Sequence, residues 1–237
     1  MRDGWIRVTG ASRGIGAAIA SDLARRGAKV AALSRSGNAS AGLRGMACDV
    51  SDEAALAGAF ETLSNDGSIV GIVNNAGQHR GGPSAALKTE DFDGLMRLNA
   101  TSVFVASRLA YPYLVKSGGG TIVNIGSFFD KLGVAENLAY SASKAAVGAI
   151  TRCLAVEWAR DKIRVLNVAP GYIETDLNRD WLATDRVQSW IKRRIPVGHA
   201  GQPDEVARVV GCLMAEEIDF LSGETIYIDG AHGINHL

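Results

Sequence analysis

Short apolar runs alternate along the chain with longer stretches whose apolar positions recur at helical spacing. The runs at 5–9, 29–33, 45–48, 69–74, 121–125, 164–169 and 225–228 are mostly bounded by Gly, Asn or Pro and predict strands. Between them, 15–26, 53–63, 90–115, 141–160 and 204–214 predict helices. Repeated βα units of this kind stack into a parallel sheet whose two faces are covered by helices. The expected fold class is therefore α/β, a doubly wound parallel sheet in a three-layer α/β/α sandwich. No repeat, low-complexity tract or linker divides residues 1–237, so one domain is expected. Two irregularities stand out. The segment SRSGNASAGLRG between the second and third runs is short for a crossover helix, and Arg7 places a charge in a strand expected at the sheet centre.

Composition narrows the function. Lys+Arg and Asp+Glu are both 25, so no net field attracts a polyanion, and nucleic acid is not an expected partner. No apolar run reaches the ~18 residues that span a bilayer, and the first residues lack the long apolar region of a secretory leader. A soluble cytoplasmic protein with no membrane partner is expected. Cys48, Cys153 and Cys212 are widely spaced, read as reduced packing residues, and suggest no metal set.

TGASRGIG, Thr9 to Gly16, follows a strand and opens a helix. In that context Gly10, Gly14 and Gly16 permit a tight turn and let a pyrophosphate approach helix N–H groups. Such glycines also serve close packing of helix on sheet, so this turn by itself does not decide between the two. At the end of the second strand, an acidic residue would suit a free ribose hydroxyl and a basic one a 2′-phosphate; here stand Ser34 and Arg35. With Arg13 as a second cation, NADP is expected in preference to NAD.

Tyr140 and Lys144 are four residues apart on a predicted helix and so share a face. A phenol near pKa 10 is a poor base at neutral pH, and a neighbouring ammonium favours its ionised form. Ser127 follows the run TIVNIG at a strand's carboxyl end, where ligands bind in open parallel sheets. Asn99 interrupts a helical segment, where its amide can bond a backbone group or a water and anchor a proton relay.

Taken together, TGASRGIG, Cys48–Val50, NNAG at 74–77, the Asn99 segment, Ser127, YSASK at 140–144, and APG followed by YIET at 169–175 resemble the short-chain dehydrogenases/reductases of classical type, from Thr9 to about Gly230. The resemblance implies a Rossmann-type sheet and hydride transfer between NAD(P)(H) and a ketone or secondary alcohol, with no metal. It implies catalytic roles for Ser127 on the carbonyl, Tyr140 as acid/base, Lys144 on the nicotinamide ribose and Asn99 on a relay water. Cofactor contacts are implied for Gly10, Ser12, Arg13, Gly14, Ile15 and Gly16, for Ser34 and Arg35, for Asp49 and Val50 near the adenine, and for Asn75, Ala76 and Gly77. Tyr140, Lys144, Pro170, Gly171, Ile173 and Thr175 complete that set. A homotetramer is also implied, with the helices at 90–115 and 141–160 in one interface and the C-terminal strand region in another.

The substrate is not specified by these motifs. The resemblance places a mobile lid near 172–201, which carries Trp181, Trp190 and the cations Lys192, Arg193 and Arg194. Phe128 and Phe129 make a bulky wall beside Ser127, which favours a small or medium apolar ketone. Within the family the resemblance extends to 3-oxoacyl-thioester reductases, to which an acidic carrier would bring its own charge, and to sugar-acid and polyol dehydrogenases. A non-catalytic nicotinamide-binding scaffold is the alternative of a different class, and the retained tetrad argues against it.

Overall fold

The computed structural model describes residues 2–236. Seven strands form one sheet in the order β3-β2-β1-β4-β5-β6-β7, and every neighbouring pair is parallel. They are β1 (Trp5–Thr9), β2 (Lys29–Ser34), β3 (Arg44–Ala47), β4 (Ile69–Asn74), β5 (Gly120–Ile125), β6 (Ile163–Pro170) and β7 (Thr225–Ile228). The inner strands β4, β5 and β6 are buried at every position, which is why their sequences run apolar without alternation. Helices α1 (Gly14–Arg25) and α8 (Pro203–Ala215) cover one face, where Ile19, Leu23, Val206 and Val210 pack on the sheet. On the other face lie α2 (Glu53–Ser64), α4 (Ser102–Lys116) and α5 (Leu138–Trp158), with Phe60, Leu114 and Leu154 in a second core.

The chain winds outward in opposite directions from β1 and β4, so their carboxyl ends face a crevice at the switch point. No helix forms between β2 and β3, as the short, Ser/Gly-rich crossover predicts. The predicted helix at 90–115 is two helices, α3 (Thr89–Met96) and α4, joined by a π turn at Arg97–Thr101 that contains Asn99. Two α-helices lie outside the predicted set, α6 (Arg179–Leu182) and α7 (Asp185–Arg194), besides short 3₁₀ turns. They carry a small core of their own, Leu182, Val187, Ile191 and Ile195, packed against Tyr172 and Trp190.

Arg7 finds a ring instead of a counter-ion. Its guanidinium lies 3.4 Å from the Phe60 ring centroid, and Phe60 stacks on Tyr113 at 5.4 Å. No side-chain nitrogen of Arg7 has a hydrogen-bond partner among the described residues, and burial lowers its pKa to about 9. The cysteines correct one expectation: Cys48 is buried, but Cys153 and Cys212 are exposed, so only the first is a packing residue.

Candidate active site

At the switch point the Gly-rich turn is fastened to the loop after β4. Thr9 Oγ1 accepts from the backbone N–H groups of Asn75 and Ala76, both at 3.0 Å, and Asn75 Nδ2 donates to the carbonyls of Thr9 and Gly10 at 2.9 and 3.2 Å. Gly10 and Gly14 take φ of +65° and +56°. A methyl group on Gly16 would collide with the Gly10 carbonyl and the Asn75 amide. These glycines therefore serve both readings, the left-handed turn and close helix–sheet approach. The amide of Asn75, expected on the cofactor, is engaged in shaping the turn.

The start of α1 fits an anion. α2 is capped by the Asp52 carboxylate, which accepts from Ala54 and Ala55 at 2.9 and 3.2 Å, whereas no side chain caps α1. Its first-turn N–H groups are thus left for a ligand or solvent, at the positive end of the helix dipole. Around it Ser12, Arg13 and Arg35 are exposed, Ile15 is partly buried, and Thr175 sits against Gly14, 3.5 Å from where a Cβ would stand. Ser34 is buried, its hydroxyl shared with Ser36 at 3.3 Å, and Asp49 is exposed with its carboxylate bound to Ser51. Pro170 ends β6, Gly171 follows it, and Ile173 is buried and bridged to Gly201. A cavity of about 550 Å³ opens elsewhere, between α2 and the α3–α4 junction; of the expected site residues only Val50 lines it.

The four expected catalytic residues converge beside this crevice. Ser127, two residues past β5, lies beside Tyr140, whose pKa it lowers, and accepts from the Phe129 N–H at 3.3 Å, so it caps a short 3₁₀ turn next to the phenol. Lys144 lies one turn further along α5; it is buried, donates to the Ile125 carbonyl at 2.7 Å, and its Nζ is 5.8 Å from the Tyr140 ring centroid. Asn99 is fully buried: its Nδ2 donates to the Gln78 carbonyl at 2.9 Å and to Ser143 Oγ at 3.0 Å, and its Oδ1 accepts from the Gln78 N–H at 2.8 Å. The π turn sets this amide inward, where it ties the loop containing Gly77 to the residue preceding Lys144. Asn99 thus acts in the structure as a positioning residue.

One electrostatic expectation is corrected. Burial raises the Tyr140 pKa above its ordinary value, and the Ser127 hydrogen bond opposes that rise only in part. Burial also lowers Lys144 to about 8, with no countercharge to hold it up. In this protein alone the phenol is therefore held protonated, and the ammonium does not overcome desolvation. An anionic group bound beside Lys144 would raise its pKa back toward the ordinary value, and would raise that of the phenol further.

Sequence reasoning missed two features and set a third, His79, aside as a surface histidine. Asn74, Asn124 and Asn167 align in register across β4, β5 and β6, and the first two join by a 2.8 Å hydrogen bond. His232, in the turn His232–Ile234, reaches Phe128 and Tyr172. His79 lies edge-on to Tyr140 at 4.9 Å and is hydrogen-bonded to Asn137 at 2.6 Å. Only the recurrence of Asn at strand ends offered a signal. Among the described residues no group of three or more His, Cys, Asp or Glu is arranged to hold a metal, and no helix is long and apolar enough to cross a membrane.

Comparison with known proteins agrees with this geometry. The family model described as Enoyl-(Acyl carrier protein) reductase matches residues 10–232. The 3-oxoacyl-[acyl-carrier-protein] reductase MabA of Mycobacterium tuberculosis is 35% identical over 98% of this chain and 93% of its own. FabG of Vibrio cholerae, a protein of the same name, is 34% identical over 94% of both. Among solved structures, the aldohexose dehydrogenase of Thermoplasma acidophilum superposes with a TM-score of 0.92 at 30% identity, covering 99% of this chain and 95% of that one. The gluconate 5-dehydrogenase of Burkholderia cenocepacia, solved with NADP and tartrate, gives 0.91 at 31%, covering 99% and 97%. This chain belongs to the short-chain dehydrogenase/reductase family, oxidoreductases that act on alcohol and ketone groups.

Proposed function

We propose that this chain reduces a ketone, or oxidises the corresponding secondary alcohol, with NADP(H), and that Tyr140 exchanges the proton with the substrate oxygen. The observation that carries this reading is the placement of Ser127 beside Tyr140, where it lowers the phenol's pKa against burial, with Lys144 buried one turn along α5 and bonded to the Ile125 carbonyl at the sheet's carboxyl edge. In reduction the protonated phenol donates to the developing alkoxide while the Ser127 hydroxyl holds that oxygen in place. Lys144 supplies a fixed positive charge beneath both, and Asn99 keeps the loop at Gly77 and the start of α5 in register. The nicotinamide, when bound, supplies or accepts the hydride.

For the cofactor, the turn residues Gly10, Ser12, Arg13, Gly14, Ile15 and Gly16 take the pyrophosphate, with Asp49 and Val50 on the adenine and Ala76 and Gly77 along the middle. Lys144, Pro170, Gly171, Ile173 and Thr175 take the nicotinamide end, and Asn75 contributes through the turn that it holds. NADP is preferred because β2 ends in Ser34 and Arg35 with no carboxylate, and Arg13 adds a second exposed cation. The segment 172–201 is the substrate lid. Three free thiols suit a reducing cytoplasm, and Phe104 and Val156, exposed on α4 and α5, give apolar surface for the helical interface of a homotetramer.

A second reading, reduction of 3-oxoacyl thioesters, draws on the named activity of MabA and FabG and on the basic end of α7 at Lys192, Arg193 and Arg194. The test follows nicotinamide absorbance over a panel of ketones, alcohols and 3-oxoacyl thioesters, alongside titration with each cofactor. NADPH is expected to bind about tenfold or more tightly than NADH, the scale of one or two charge-assisted phosphate contacts. Tighter NADH binding would refute the cofactor assignment. Binding without turnover of any substrate would replace the enzyme by a scaffold.

A further inference from the structure

The rings around Tyr140 come from five separate parts of the chain. Phe128 and Phe129 follow Ser127, Tyr172 follows β6, Trp190 lies on α7, His232 follows β7, and His79 lies in the loop after β4. They make an unbroken path outward from the phenol. Centroid to centroid, Phe129 is 5.7 Å from Tyr140, Phe128 is 4.7 Å from Phe129, Tyr172 is 5.4 Å from Phe128, and Trp190 is 5.3 Å from Tyr172. His232 stacks on Tyr172 at 5.8 Å and meets Phe128 at 5.2 Å and Trp190 at 5.6 Å, so the path ends in a packed cluster of four rings. Burial lowers the His232 pKa, which keeps that imidazole neutral at pH 7, and its Nδ1 has no hydrogen-bond partner among the described residues.

This wall discriminates between substrate chemistries. A polyol or sugar acid pressed against rings would leave hydroxyl groups without partners, and unpaired buried polar groups reject a ligand strongly. A linear acyl chain would bury apolar area but lose several rotors in doing so. A flat ring offers the edge and face contacts that aromatic side chains favour, at little rotor cost. We infer that the substrate carries its carbonyl or secondary hydroxyl on, or directly attached to, a flat apolar ring, and that His232 and Trp190 form the far wall of its pocket. The inference rests on the oxidoreductase reading above.

The test measures kcat/KM for α-tetralone and for acetoacetyl-CoA with NADPH, and for gluconate with NADP. α-Tetralone is expected to exceed acetoacetyl-CoA by about tenfold or more, the discrimination one well-fitted apolar contact supplies, and gluconate to fall below detection. Trp190→Ala and His232→Ala should each lower the α-tetralone to acetoacetyl-CoA ratio about fivefold through KM, and Trp190→Phe should restore it by keeping a ring. Turnover of the thioester or gluconate in preference to α-tetralone, or variants that slow both ketones equally, overturns the inference and leaves the oxidoreductase standing. Binding of NADPH with no turnover of any of the three overturns the inference, and the wider panel of ketones, alcohols and thioesters then decides the oxidoreductase reading.

Discussion

The two ends of the crevice are built by different means. At the Gly-rich turn, short side chains grip backbone: the Thr9 hydroxyl and the Asn75 amide bond main-chain groups across the two loops, and Gly16 lies where no side chain fits. At the substrate end, side chains from distant segments meet ring to ring, with Tyr172 touching Phe128, Trp190 and His232. Backbone contacts tolerate few alternatives, because they depend on residues that lack a Cβ or hold a particular φ. Ring contacts accept many substitutions of similar size. One fold can therefore hold its cofactor constantly while its substrate changes with a handful of aromatic positions.

Substitutions can pull the two ends apart. The largest effect is expected between them: Tyr140→Phe should lower kcat by at least about 100-fold, with the NADPH dissociation constant nearly unchanged, in paired turnover and fluorescence titrations. Near-normal turnover would remove the proton-transfer role. Next, Gly16→Ala drives a methyl group into the Gly10 carbonyl and Asn75 amide, and overpacking of that order should weaken NADPH binding about tenfold. If binding survives intact, the turn is not the cofactor's seat. Arg35→Ala should narrow the preference for NADPH over NADH by about fivefold, the share of one exposed charge-assisted contact; an unchanged ratio would place Arg35 outside the site.

The mildest probe is pH. Lys144 is charged below its value of about 8 and neutral above it, while the phenol, shifted upward, stays protonated across the same range. The kcat/KM for NADPH, which reports groups of the free enzyme, should therefore fall as pH rises through about 8 and reach half its plateau near that value. Lys144→Arg should remove the fall, since a guanidinium stays charged there. A flat profile in the unaltered protein would show that the Lys144 charge is not required.

The same contrast governs how much was legible in the sequence. β1, β4 and β7 occupy the residues predicted for them, because apolar runs ended by Gly or Asn are a local signal. Tyr140 and Lys144 do share a helical face, since spacing of four on α5 guarantees it. Their electrostatics were not legible: desolvation depends on what packs over the pair, and here it outweighs the ammonium. The π turn at Arg97–Thr101 was visible only as a polar interruption, and its inward Asn99 became clear from Gln78 and Ser143, which are distant in sequence. Arg7 could not be explained without Phe60 above it.

By itself, the sequence determined the layers, the glycine-rich turn that opens α1 and the helical face shared by Tyr140 and Lys144, because each depends on residue type and short spacing. Only the tertiary structure decided the register of Asn74, Asn124 and Asn167, the protonation balance of Tyr140, and the meeting of Phe128, Tyr172, Trp190 and His232. The physical reason is range. Hydrogen-bonding periodicity acts within a few residues, whereas desolvation and ring packing depend on whichever segments the fold brings within about 6 Å.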